Sequence, residues 1–349
     1  MIPPWKPQRK RIEHLQSLTI LAIHPPVNAM KLYLSSHLMN DQKSQAGSPG
    51  ILWRLLFAFF IALLLASCGT LAFMFFQGGI AKVIAFYLVQ TIPPFLGVVS
   101  LIFVGINMLV TPRWNRWALV TGLISLGAIS PALLIVFPVT YPASIEKMTP
   151  SATVRLPTDT PLKVAWGGDN VKVNYHAMTP DQRWAYDLIM EPRVNGSARL
   201  EDYSIYGVPV VAPASGQIAV VHAGEPDEKP GVPSNNTRAI AGNYVAIRLP
   251  TQTYLIIAHL RKGSLLVKEG DFVNEGQKIA ECGNSGNTSE PHIHIHHQRQ
   301  NPKDYPIGFA EGLPLLFRDH DGPPMPLGGW KNENGARVWT GPTVRNVKK

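Results

Sequence analysis

The sequence predicts a protein in two parts, with transmembrane α-helices first and an all-β domain with an antiparallel sheet after them. Two observations support this fold class. Residues 51–139 are strongly apolar and almost uncharged. Residues 166–316 instead contain short alternating apolar and polar segments separated by turn residues, which are typical of β-strands. A chain of 349 residues is long enough for both parts.

Three apolar segments are each long enough to cross a bilayer, which takes about 20 helical residues. They cover residues 51–76, 80–110 and 117–139. The second is longer than one span needs and contains Pro93-Pro94, so we expect a kinked helix or two half-spans there. A buried helical core in a soluble protein would not require three such segments in succession. We therefore predict a membrane region of about three helices over residues 51–139.

The positive charges predict an orientation for this region. Lys and Arg residues occur throughout residues 1–50 and again at Arg113 and Arg116, and such residues favour the cytoplasmic side. Residues 1–50 are thus predicted to be a basic cytoplasmic segment, and the chain after residue 139 is predicted to be exported.

A second interpretation concerns residues 65–68, which resemble a bacterial lipoprotein cleavage site. The 50 residues before the apolar stretch are too many for an ordinary signal peptide, and the stretch continues to Phe76. We therefore favour an uncleaved membrane span.

Charge and cysteine content exclude two classes of protein. The net charge is +9, but the basic residues do not cluster with aromatic residues, so nucleic-acid binding is not predicted. The two cysteines, Cys68 and Cys282, fall in the membrane region and in the β domain, which makes a disulfide between them improbable. We interpret Cys282 as a small buried strand residue.

The exported part is predicted to have three sections. Residues 140–165 are rich in Pro, Ser and Thr and read as a linker, residues 166–316 form the β domain, and residues 317–349 read as an irregular tail. Within the domain only residues 181–190 suggest a helix or the start of a strand, and residues 225–241 suggest a surface loop.

A turn followed by a strand over residues 286–296 has histidines at alternate positions, so His292, His294 and His296 point to one face. A catalytic zinc site needs three His, Cys, Asp or Glu ligands and an open position. Further candidate ligands lie upstream, namely His176, Asp187 and His259.

Six further segments of the β domain complete this pattern. They are residues 207–212, 258–260, 269–273, 276–277, 283–286 and 291–294. Together with His176 and Asp187, and in this order, they resemble the lysostaphin-type (LytM-like) zinc metallopeptidase domain, a family of peptidoglycan endopeptidases. The membrane segments lie outside this resemblance.

The resemblance implies a role for each candidate. His176, Asp187 and His294 correspond to the ligands of Zn²⁺, and His259 and His292 to the catalytic histidines beside it. Ten residues separate His176 from Asp187, more than in many members, but a variant of the family pattern has Asn-x-His followed by an aromatic-rich strand, as here. We expect His296 to line the pocket or support a ligand, and His297 to lie on the opposite face at the surface.

The resemblance also implies a function. We expect a membrane-embedded zinc endopeptidase in the bacterial inner (cytoplasmic) membrane, with its β domain on the extracytoplasmic side and peptidoglycan peptides as substrates. The membrane region is then an anchor only, or also the binding site of a regulatory membrane partner. The alternatives are an inactive cell-wall-binding or hydrolase-activator module, and a protease of extracytoplasmic proteins. A biotinyl or lipoyl carrier hairpin is excluded, because no lysine lies between Val273 and Gln277.

Overall fold

The computed structural model describes residues 51–76, 78–110, 116–133, 137, 139–194, 196–306 and 308–347. The predicted cytoplasmic segment 1–50 and Arg113 lie outside these residues. The chain forms two compact units, Met1–Arg54 and Leu55–Lys349. Of the first unit only Ile51–Arg54, the start of a helix, is described.

The apolar region forms helices α1 (Ile51–Phe76), α2 (Ile80–Val110) and α3 (Arg116–Ile129). Among the described residues, two helical segments are long and apolar enough to cross a membrane, Trp53–Phe73 in α1 and the whole of α2.

The structure describes only part of the third apolar segment, because residues 134–136 and 138 lie outside the described residues. The 14 residues of α3 extend about 21 Å at 1.5 Å per residue, less than the ~30 Å of a bilayer core. A 3₁₀ turn with Pro131 follows, and beyond it the Phe137 N–H donates to the Leu133 carbonyl (2.7 Å), as in an α-helix.

Helix α2 continues through Pro93 and Pro94 as one element, so it does not form two half-spans. Both prolines are buried, and α2 packs closely on α3 a turn further on. A Cβ added to Gly97 would lie 2.7 Å from the Ser125 carbonyl oxygen, and the Ser125 hydroxyl donates to the Ser100 hydroxyl (2.8 Å). Small residues and interhelical hydrogen bonds of this kind stabilise helix packing in membranes.

The β domain follows. Its strands are β1 (Ala152–Val154), β2 (Leu162–Trp166), β3 (Tyr186–Ile189), β4 (Pro209–Val211), β5 (Gly216–His222), β6 (Asn243–Arg248), β7 (Tyr254–Leu260), β8 (Phe272–Val273), β9 (Lys278–Glu281), β10 (Ile293–Gln298), β11 (Gly312–Leu313), β12 (Leu315–Phe317), β13 (Trp330–Glu333), β14 (Ala336–Trp339) and β15 (Thr343–Val344). The main sheet has the order β15-β2-β3-β10-β7-β6-β5-β8, with β11 also on β10. All its pairings among the described residues are antiparallel, as predicted.

Strand β10 shows how the sequence positions the functional residues. Ile293 and Ile295 are fully buried in the main apolar core with Leu255 and Ile257 of β7. Full burial of such a side chain stabilises a fold by about 1.5–3 kcal/mol. Because side chains alternate along a strand, burial of the two isoleucines fixes the histidines between them on the other face.

The edges of the β domain differ from the prediction. The predicted linker contains β1 and most of β2, and β1 pairs in parallel with β12. The predicted irregular tail contains the hairpin β13–β14 and β15, which pairs with β2. The polar composition of this segment does not show the alternation expected of strands. Asn334-Gly335 at the turn nevertheless has the positive φ angles (53° and 82°) that this dipeptide favours. Residues 181–190 contain no helix, and Tyr186–Ile189 within them form strand β3.

The N-terminal end of α2 packs against the β domain. The contacts are hydrogen bonds from the Lys82 ammonium to the Pro142 carbonyl, from the Tyr87 hydroxyl to the Gly308 carbonyl (2.7 Å) and from the Gly79 N–H to the Glu311 carboxylate, and ring contacts of Phe86 with Tyr141 and of Tyr87 with Phe309. The β domain therefore lies on the same side as the α1–α2 turn.

Candidate metal centre

Three elements bring His176, Asp187 and His294 together. Asp187 on β3 and His294 on β10 are directly opposite each other in the antiparallel register. Their side chains therefore lie on the same face as neighbours. His176 lies in a 3₁₀ turn, Tyr175–Met178, just before β3.

Asn174 explains why an Asn-x-His motif positions this histidine. Its side-chain oxygen accepts from the His176 N–H (3.2 Å), and its amide donates to the carbonyls of Gly168 (2.9 Å) and Ala185 (3.0 Å). Asn174 is completely buried, so these bonds attach the turn firmly to the chain that enters β3.

The three side chains form a compact set of potential ligands. The Asp187 carboxylate lies 3.0 Å from His176 Nε2 through Oδ2 and 2.8 Å from His294 Nδ1 through Oδ1. All their ligand atoms fall within 4.8 Å of one another, and each residue is buried. His176 Nε2 is a buried atom without a well-formed hydrogen bond. Two imidazoles, one carboxylate and an unsatisfied nitrogen fit a zinc ion of the catalytic type.

The electrostatics favour the protonation states that bind a cation. Burial would raise the pKa of Asp187, but the neighbouring His176 and His292, together with the close contacts of its carboxylate with His176 and His294, lower it well below its ordinary value. Burial lowers the pKa of His294, although its contact with Asp187 opposes this change. An ionised carboxylate beside neutral imidazole is the form that metal binding requires.

His259 and His292 lie beside this centre. Their ring centroids are 4.6 Å apart, and His292 Nε2 is 3.7 Å from Asp187 Oδ1. His259 lies in β7 with a positive φ of 58°, a conformation that is rare for histidine and is often found at functional sites.

Backbone carbonyls define how both histidines can act. Each Nδ1 is 2.8 Å from a carbonyl oxygen, Ser285 for His259 and Glu290 for His292. A carbonyl can only accept, so each Nδ1 is protonated and a neutral ring has its lone pair on Nε2. Burial, then the neighbouring His292 and His294, lowers the pKa of His259 well below its ordinary value.

The five predicted residues line one groove of about 470 Å³. Sequence reasoning did not predict its aromatic wall, where Trp166 contacts both Tyr175 (5.1 Å between ring centroids) and Trp339 (5.3 Å). Arg337 and Trp339 reach the groove from the β13–β14 hairpin. The Asn334-Gly335 turn was the sequence signal that could have revealed this hairpin.

Three other predictions can be compared with the structure. His296 lines the groove, and its Nδ1 lies 2.9 Å from His294 Nε2. His297 is not at the surface: it is 1% exposed, and its ring hydrogen bonds with Thr253 and Pro314. The face of β10 opposite the groove, which carries Ile293, Ile295 and His297, packs into the main apolar core, so both faces are buried. Cys282 is buried with a free thiol, as predicted, and burial raises the pKa of this thiol.

Comparison with known proteins identifies the fold family. Residues 202–305 match the family model described as Peptidase family M23. An uncharacterized metalloprotease from Haemophilus influenzae is 35% identical over 94 residues, 27% of this chain and 17% of that protein. The peptidoglycan DD-endopeptidase ShyA from Vibrio cholerae is 30% identical over 130 residues, 36% of this chain and 28% of that protein. The matches thus cover less than a third of each relative.

Solved structures include a zinc-containing peptidase from Vibrio cholerae (23% identity, TM-score 0.28), which covers 42% of this chain and 37% of that one. The catalytic domain of lysostaphin from Staphylococcus simulans (19% identity, TM-score 0.27) covers 43% and 86%. The matched part of the β domain, residues 202–305, is M23-like (LytM-like). His176 and Asp187 precede the matched residues, so their roles depend on the geometry described above.

Proposed function

We propose that this protein is a membrane-anchored zinc metalloendopeptidase that hydrolyses peptides of bacterial peptidoglycan. The convergence of His176, Asp187 and His294 beside two histidines with free Nε2 atoms is the observation on which this proposal rests. The M23 family match supports peptidase chemistry, and the relative ShyA, a peptidoglycan DD-endopeptidase, supports the substrate class.

The proposed mechanism divides the work between two groups of residues. His176, Asp187 and His294 would hold a zinc ion, which would supply Lewis-acid activation of a water molecule and of the scissile carbonyl. His259 and His292 move protons at their Nε2 atoms, because their Nδ1–H groups are engaged with backbone carbonyls. A neutral Nε2 accepts a proton from the attacking water, and a protonated Nε2 donates to the oxyanion or the leaving amine.

Purified full-length protein in detergent tests the proposal. We expect about one zinc per chain, release of soluble fragments from cell-wall sacculi, and little cleavage of casein. Zinc binding with cleavage of casein but not of sacculi would show that the substrates are proteins and not peptidoglycan. Zinc binding with no cleavage of either would identify a binding or activator module, and absence of zinc would contradict the proposal itself.

The groove predicts one residue that affects substrate affinity. The Arg337 guanidinium lies over the rings of Trp330 (4.9 Å) and Trp339 (5.7 Å) at the groove, where it can contact a carboxylate of the substrate peptide. Exposed ion pairs contribute about 0.2–1 kcal/mol, so Arg337→Ala should raise KM for acidic peptides by roughly 1.5- to 5-fold at unchanged kcat. Steady-state kinetics at two salt concentrations measures this. Arg199→Ala, an exposed arginine not among the groove-lining residues, is the control. An equal effect of both variants would contradict the prediction.

The helices predict the orientation of the chain. Because Gly79 contacts Glu311, the β domain lies with the α1–α2 turn, opposite the end of α2 and the Arg116 that begins α3. Basic residues favour the cytoplasm, so we expect the β domain outside it. A reporter enzyme that works only outside the cytoplasm should be active when fused after Lys349 and inactive when fused after Val110. The reverse pattern would overturn the orientation and the cell-wall substrate together.

A further inference from the structure

Behind His294, strand β10 has a row of buried polar side chains that the proposed mechanism does not use. His294, His296 and Gln298 alternate along the strand and are 4%, 2% and 0% exposed. Their neighbours across the sheet are Ala258, Ile256 and Tyr254 of β7, so they lie in an otherwise apolar layer. Burial of a polar side chain costs free energy because the side chain loses its hydration, so such groups are normally hydrogen bonded.

Hydrogen bonds connect the row from end to end. His294 Nε2 lies 2.9 Å from His296 Nδ1, and His296 Nε2 lies 3.0 Å from Gln298 Oε1. The Gln298 amide nitrogen donates to the backbone carbonyl of Gln300 (2.6 Å). The Gln300 side chain in turn accepts from the Glu311 N–H (2.7 Å), which attaches the end of the row to the segment that precedes β11.

The Gln300 carbonyl fixes the direction of every bond in this row. A carbonyl only accepts, so Gln298 presents its amide nitrogen to Gln300 and its oxygen to His296. That oxygen also only accepts, so His296 is protonated on Nε2 and a neutral ring has its lone pair on Nδ1. His296 therefore accepts from the Nε2–H of His294, and a neutral His294 ring then has its lone pair on Nδ1.

An unprotonated Nδ1 has no proton to share with its other neighbour. His294 Nδ1 is 2.8 Å from Asp187 Oδ1, and both atoms are then acceptors. Two acceptors at this distance repel each other unless a cation binds beside both, and His176 Nε2 completes the same cluster. The row thus prepares His294 for coordination through Nδ1, before any ion is bound.

We propose that His296 and Gln298 are positioning residues, which hold His294 in the ring orientation and the tautomer that present Nδ1 to the metal. This inference rests on the zinc site of the proposed function. A metal-ligating histidine usually donates its second N–H to a carboxylate, a backbone carbonyl or water. Here the acceptor is a neutral imidazole, which orients the ligand without adding a negative charge next to the centre.

Replacement of His296 tests the proposal through metal affinity. Loss of a residue that orients a ligand typically costs 10–100-fold in affinity, so we expect His296→Leu to raise the Kd for zinc by roughly that factor. His296→Asn, whose side-chain oxygen can accept from His294, should restore most of the affinity. Gln298→Leu should weaken binding in the same direction, because His296 then loses the acceptor that fixes its tautomer. The full-length chain in detergent is titrated against a chromophoric zinc chelator.

The matched control is His297→Leu, which removes an adjacent buried histidine of β10 whose ring bonds Thr253 and Pro314 instead. We expect a Kd for zinc within about threefold of wild type there, and thermal unfolding of the metal-free variants identifies any that fail to fold. Equal losses in the His296 and His297 variants, or an unchanged Kd in His296→Leu, would overturn the proposal.

Nitrogen chemical shifts of ¹⁵N-histidine-labelled wild-type protein give a test that needs no variant. We expect His294 and His296 to be protonated on Nε2 in the zinc-loaded protein. A His296 ring protonated on Nδ1 would overturn the positioning role even if zinc binds. Failure of wild-type protein to bind zinc would instead contradict the proposed function, while the tautomer of His296 would still report on the row itself.

Discussion

Asp187→Asn is expected to abolish both zinc binding and peptidase activity while the β domain keeps its fold. Asp187 is the one carboxylate of the proposed ligand set and contacts both imidazole ligands, at 3.0 Å and 2.8 Å. The carboxamide of asparagine has nearly the same size as the carboxylate of aspartate but carries no charge. Disturbing the partner of a metal ligand already costs about 10–100-fold in affinity, so loss of a charged ligand itself should exceed that range.

Zinc content after dialysis, muropeptide release and thermal unfolding measure this prediction on the same preparation. Asp159→Asn is the matched control, because Asp159 is a carboxylate of the same domain that is 75% exposed and pairs with Arg155. We expect the control to keep full zinc content and activity. Full activity of Asp187→Asn would remove Asp187 from the ligand set, and the His-Asp-His assignment with it.

The sequence predicted the central part of this site because strand periodicity is a short-range property. Alternation along β10 places Ile293 and Ile295 in the core, and this alone fixes His294 and His296 on the opposite face. Whether Asp187 faces His294 depends on the pairing of β3 with β10 over 107 residues of sequence, which no local pattern determines. The resemblance to known peptidases supplied that contact.

Long-range packing also explains what the sequence did not predict. The segment after Phe317 is polar, yet β15 pairs with β2, and the β13–β14 hairpin brings Trp339 onto Trp166. The ring of the buried His297 likewise contacts Pro314 and Thr253, which are 17 and 44 residues away in the sequence, and a strand pattern does not show such contacts.

His259→Ala and His292→Ala are each expected to lower kcat by ~10²–10⁴-fold while leaving about one zinc per chain, because proton transfer by a positioned histidine contributes that much. Neither residue belongs to the three-residue ligand cluster, and each Nδ1 is engaged with a backbone carbonyl. The measurements are kcat, KM and zinc content. His222→Ala, a half-exposed histidine paired with Glu225, is the control and should behave as wild type.

A double variant with both His259→Ala and His292→Ala tests whether the two histidines act in the same proton transfer or in different ones. If they act on one proton transfer, the second substitution adds little to the first, since residues that work as a unit are strongly non-additive. If one histidine activates the water and the other protonates the leaving amine, each single variant still lowers kcat. The double variant then loses more kcat than either single variant. The 4.6 Å separation of the rings and their common Nε2 geometry favour the first result. Loss of zinc in either single variant would make that histidine a ligand and would contradict the division of roles proposed here.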